Sequence, residues 1–121
     1  MSEDPLDRVV DEPLVVDAMA MRALRDFRRE EKLTLLPGVD TAEERARLCG
    51  KLNDLADVLV RGVERNPSKW WVLSQFQRVL AGMDQEDTEA REHFGMELEH
   101  VMDILGIQSS DGLLSHYLGW A

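Results

Sequence analysis

Apolar side chains recur three and four residues apart through most of the chain, and no stretch sustains the two-residue alternation of a strand. The first stripe is Val16, Met19, Ala20, Ala23, Leu24 and Phe27. It predicts a helix over 14–31, with Arg22, Arg25, Arg28 and Arg29 mostly on its other sides. The apolar run that follows is closed by Pro37-Gly38, a turn signal. A second helix over 41–65 has the clearest start. Thr41 can cap it, and Glu44 stands at the capping-box spacing. Its stripe is Leu48, Leu52, Leu55, Leu59 and Val63. Asn66-Pro67 reads as the start of a third helix over 67–82, because asparagine caps well and proline at the first helical position loses no bond. Trp70, Leu73, Phe76, Leu80 and Met83 give its inner face.

A fourth helix, over 88–105, opens at Asp87 or Thr88 and carries Glu89 and Glu92 in its first turn, where the helix dipole favours acids. Phe94, Leu98, Val101, Met102 and Leu105 form its stripe. Gly106 suits the left-handed position that ends a helix, with Ile107 as the apolar residue after it. A short helix over 110–118 follows, capped by Ser109 or Ser110 and packed down by Leu113, Leu114, Tyr117 and Trp120. The fold class is therefore all-α: a compact single-domain bundle of four main helices plus a short C-terminal one. Short connections predict that consecutive helices are antiparallel neighbours. The bundle occupies 14–121, and the acidic, proline-bounded stretch 1–13 reads as a mobile or loosely attached arm.

Charge narrows the function classes. In 121 residues there are 24 acids against 14 bases, a net charge of -10. Nucleic-acid binding needs a basic footprint, and anionic membranes repel an acidic surface, so neither is expected as a partner. No apolar run approaches the ~18–20 residues of a membrane span, and the first residues lack the basic and apolar regions of a signal peptide. A single cysteine, Cys49, makes no internal disulfide. A cytoplasmic location is expected. The acidity is uneven: from 84 to 121 there are nine acids and one base, whereas from 41 to 83 bases outnumber acids by seven to five.

The C-terminal part resembles a known bacterial family. Asp87-Thr88-Glu89-Ala90-Arg91-Glu92 is followed by Val101-Met102-Asp103-Ile104-Leu105-Gly106-Ile107-Gln108-Ser109-Ser110-Asp111-Gly112-Leu113-Leu114, and this looks like the closing motif of domain of unknown function 4844. Pro37-Gly38 and Asn66-Pro67-Ser68-Lys69 are similar too, so the likeness runs over about 36–120. Gln108 stands where that family tends to have an acid, and Ser115 where it tends to have asparagine. The resemblance implies a shared fold and no particular reaction.

Four features bear on chemistry. Ser109, Ser110, Asp111 and Gly112 form a polar loop at a helix start. They can be read as a ligand or anion loop, or as a turn and cap that already use every polar group. Glu89, His93, Glu97 and His100 share one side of the fourth helix. Glu97-x-x-His100 has the spacing of di-iron bundles, but no second such pair exists, so no metal and no cofactor is expected. Cys49 has Arg45 one turn back, yet His93, His100 and His116 all lie far along the chain, and a small buried thiol is the expectation. Adjacent Trp70 and Trp71 cannot both centre one stripe. Trp70 shares the Leu73 face, and Trp71 reads either as packed into the core as well or as an edge residue that serves as a contact anchor.

No nucleophile has a placed base, and no glycine-rich phosphate loop is present, so the chain is not expected to be an enzyme. The expected function is a small acidic protein-binding domain, an immunity-type inhibitor that neutralises a bacterial toxin enzyme by covering a basic cleft. Asp84, Glu86, Asp87, Glu89, Glu92, Glu97 and Glu99 are its expected contacts, with Trp71. The alternatives are a small-ligand binder or enzyme using the 109–112 loop with His100, or a structural homodimer.

Overall fold

The computed structural model describes residues 4–33 and 41–120. The predicted Pro37-Gly38 turn lies outside them. The chain is all-α: α1 is Ala18–Arg29, α2 Ala42–Gly62, α3 Lys69–Leu80, α4 Thr88–Leu105 and α5 Leu113–Leu118, with short 3-10 turns at Pro5–Arg8 and Met83–Gln85. One hydrophobic cluster runs from Leu6 to Leu118 and takes side chains from every helix. Within it α1 packs on α2, α2 on α3, and α4 returns to α1, while α5 contacts both α3 and α4. Consecutive α3 and α4 are thus not a principal pair, because α5 lies against both.

The long stripes behave as their spacing predicts. Leu48, Leu52, Leu55, Leu59 and Val63 are all buried, and so are Phe94, Leu98, Val101, Met102 and Leu105. The Thr41 hydroxyl accepts the Glu44 N–H at 3.0 Å, one half of a capping box. At the end of α4, Gly106 is left-handed and the Ile107 N–H reaches the Met102 carbonyl at 2.8 Å, which puts Ile107 into the core.

Helix starts depart from the sequence reading. Leu14 to Asp17 do not join α1, because the Asp17 carboxylate caps the helix at the Ala20 N–H and sets its start at Ala18. The inner face is then Ala20, Met21, Leu24 and Phe27, and Met19 points outward at 77% exposure. Asn66 does not cap α3; Ser68 does, through the Trp71 N–H at 3.0 Å. Ser110 does not open α5 either. It accepts the Leu114 N–H at 3.2 Å, and the helix itself starts at Leu113 behind a left-handed Gly112.

Residues 4–13 are not a detached arm. Leu6 is buried in the common core. The Lys69 N–H donates to the Glu12 carbonyl at 2.9 Å, and the Leu14 N–H to the Pro67 carbonyl at 2.8 Å. Asp4 accepts from Gln77 on α3 at 2.8 Å, and Gln77 also donates to the Tyr117 hydroxyl at 2.9 Å. One large apolar side chain and a pair of backbone bonds hold the segment where composition alone suggests mobility.

Candidate functional site

The outer face of α4 carries the strongest concentration of unspent charge. Glu89, Glu92, Met96, Glu99, His100 and Asp103 are all exposed. At ~100° per residue they fall within an arc of about 100°, a single ridge along the helix. None of the four carboxylates has an ion pair or a side-chain hydrogen bond among the described residues. The ridge exists because Phe94, Leu98, Val101 and Leu105 fix the opposite side of the helix in the core. Arg91, the one base of this region, turns away, donating to the Thr88 hydroxyl at 3.1 Å and to the Leu118 carbonyl at 3.4 Å.

The remaining predicted contacts divide. Asp84 and Asp87 are exposed in the approach to α4. Glu86 is engaged elsewhere: the Arg47 guanidinium grips it with both terminal nitrogens and holds its carboxyl below the usual range. Glu97 is half-buried beneath the ridge, where burial pushes its carboxyl up against the opposing pull of His100 and Lys32. Trp71 is not an exposed anchor. Its ring lies over Gly62, where an added Cβ would come within 2.7 Å of it, and Trp70 is instead the outward one at 43% exposure. The end of α2 covers one flank of the inner face of α3, and Gly62 makes room for the ring there. Sequence reasoning missed Asp103 and Met96 as members of the ridge. Their spacing from Glu92 and Glu99, three and four residues, is the signal that finds them.

The 109–112 loop is occupied from within. Asp111 forms an ion pair with Lys69 at 2.8 Å, and the Lys69 side chain is only 5% exposed. The same carboxylate accepts the Val10 N–H at 2.8 Å. Lys69 first, then Val10, holds the Asp111 carboxyl below the usual range. The Ser109 hydroxyl accepts the Asp111 N–H at 3.0 Å, which supports the left-handed backbone of Asp111. The loop therefore ties the N-terminal segment to the start of α3, whereas His100 sits against Phe27 of α1, rings T-shaped at 5.6 Å.

Two other predicted features have local explanations. Among the described residues no three of His, Cys, Asp or Glu are grouped to hold a metal ion. The Cys49 thiol donates to the Lys32 carbonyl at 3.1 Å and is half-buried, and burial pushes its pKa up. A thiol held protonated is a poor nucleophile. Lys32 itself is buried and spans the end of α1, donating to the Glu30 carbonyl at 2.9 Å and to Asn53 at 2.8 Å.

A small helical bundle with an open acidic ridge and a closed C-terminal loop is the class these features define. The chain belongs to the family described as Domain of unknown function (DUF4844), which it matches over residues 15–119. No curated protein and no solved structure matches it. The family match includes both the ridge and the loop, and begins after the docked segment that Asp111 holds. Among the described residues no helix is long and apolar enough to cross a membrane.

Proposed function

We propose that this domain is a protein-binding module of the immunity type, which neutralises a bacterial toxin enzyme in the cytoplasm by laying the α4 ridge across a basic cleft. The observation that carries this reading is the set of four exposed, unpaired carboxylates, Glu89, Glu92, Glu99 and Asp103, on one side of one rigid helix. Acids so placed repel one another along the helix, and a basic partner meets them free of internal ion pairs and fixed in spacing. A net charge of -10 adds a long-range field that speeds encounter with such a partner. The 109–112 loop supports a ligand-binding reading less well, since its carboxylate and hydroxyls are bonded within the chain.

The test is capture of the native partner from the host, followed by kinetics with the purified pair. The expected partner is an enzyme with a basic active site whose activity falls on binding. Its association rate should drop steeply with ionic strength, and by at least about tenfold on joint reversal of the four acids to lysine. Binding that is indifferent to that reversal sinks the acidic-ridge reading. A bound enzyme that keeps full activity sinks the inhibitor reading.

A further inference from the structure

Beside the ridge, the start of α1 and the end of α4 leave a groove of about 320 Å³. Ala20, Ala23 and Ile104 contribute apolar walls, and Val15 and Met19 stand on its rim at 88% and 77% exposure. Two exposed apolar side chains so close together gain nothing from the fold, which has a complete core without them. Charge at the groove is also unbalanced. The last turn of α4 presents the negative end of the helix dipole, yet it contains no basic residue and does contain Asp103. Asp17, which also lines the groove, is engaged in capping α1 at the Ala20 N–H, so Asp103 is the open carboxylate there. An acid at a helix C-terminus breaks a local rule of stability, and among the described residues no ion pair relieves Asp103.

We infer that this groove receives a large apolar side chain from a basic segment of the partner, with a neighbouring lysine or arginine pairing with Asp103 at the end of α4. The inference rests on the acidic-ridge reading and adds the anchoring slot. Burying an apolar side chain between Met19 and Ile104 supplies affinity that exposed ion pairs alone do not. The flanking cation meets Asp103 at the negative end of the α4 dipole.

The experiment titrates the full-length ¹⁵N-labelled chain with two synthetic peptides of equal charge, one built of leucine and lysine and the other with serine in place of every leucine. The leucine peptide should bind about tenfold or more tightly, with the largest amide shifts at Val15, Met19, Ala23, Ile104 and Gly106. Met19→Asp, or the milder Met19→Ser, should erase the difference between the peptides; either variant folds normally because Met19 is 77% exposed. Asp103→Lys should weaken both peptides. Equal binding of the two peptides, with shifts confined to Glu89, Glu92 and Glu99, overturns the groove and leaves the ridge standing. Shifts centred instead on Val10 and Trp70 also overturn it. Failure of both peptides to bind at low salt, or binding unchanged by lysine at Glu89, Glu92 and Glu99, overturns the ridge reading and the groove with it.

Discussion

Asp111 and Asp103 stand eight residues apart, on either side of the turn that ends α4, and they meet opposite surroundings. Asp111 has a buried ammonium at 2.8 Å, a backbone N–H at 2.8 Å and a serine hydroxyl on its own loop. Asp103 faces solvent at the negative end of a helix with no base in that turn. The first carboxylate is consumed in joining three parts of the chain; the second is left open. The most distinctive stretch of the sequence, Ser109 to Gly112, is thus a structural junction, and an unremarkable run of helix acids is the surface with chemistry to spare. Residue type does not separate the two roles. What separates them is whether a partner within the chain has already answered the charge.

Removing the Asp111 carboxylate should have the largest effect. Asp111→Ala leaves Lys69 as a buried ammonium without its carboxylate and the Val10 N–H without its acceptor. It also asks alanine to hold a φ of 53°. A loss of about 3 kcal/mol is expected, read from the urea midpoint at neutral pH. Adding Lys69→Met should recover most of it, because the cost lies chiefly in the stranded charge. A wild-type midpoint for the single variant would mean that the junction holds nothing together.

Acid provides a second, graded probe of the same carboxylate. Lys69, then Val10, lowers the folded pKa of Asp111, so the ionised form stabilises the native state. That contribution is complete above the ordinary aspartate value of ~3.9 and disappears as pH falls through the lower, folded value. Wild type should therefore lose stability more steeply than Asp111→Ala below about pH 4, and the two curves should converge. Parallel curves from pH 5 to pH 2 would count against the ion pair as a source of stability.

How much of this was legible in the sequence follows from the range of each interaction. The stripe from Leu48 to Val63 and the Gly106–Ile107 ending are local patterns, and they appear as spacing predicts. The start of α3 reads from sequence as Asn66-Pro67, whereas Ser68 caps the helix. Backbone bonds from Leu14 to Pro67 and from Lys69 to Glu12 accompany the choice of Ser68, and they join residues more than fifty positions apart. Lys69 and Asp111 are likewise distant in sequence, so the 109–112 loop could be read for its caps and not for its salt bridge. On the ridge, the acid count was visible from composition. Which of those acids drop out was not, because Arg47 removes Glu86 from 39 positions away and the packing of α4 draws Glu97 inward. Met19 was misassigned because the buried face of α1 centres on Leu24 and Phe27 with Ala20 and Met21, and at ~100° per residue Met19 falls outside that arc.

The smallest expected effect falls at Asp103 and has the opposite sign to that at Asp111. Asp103→Asn removes a negative charge from the negative end of α4 and leaves the shape nearly unchanged. Because Asp103 has no cation to lose, the variant should gain stability, by about 0.3–1 kcal/mol at low ionic strength. Salt should shrink the gain, since an exposed charge is screened within about 3 Å at 1 M. Urea midpoints for the two proteins at low salt and at 1 M salt measure both parts. A loss of stability at low salt would mean that Asp103 is already satisfied within the chain, and the contrast with Asp111 would dissolve. A gain that vanishes with salt means that the fold carries an uncompensated charge at the end of α4, at the same place where the groove lies open to a partner's cation.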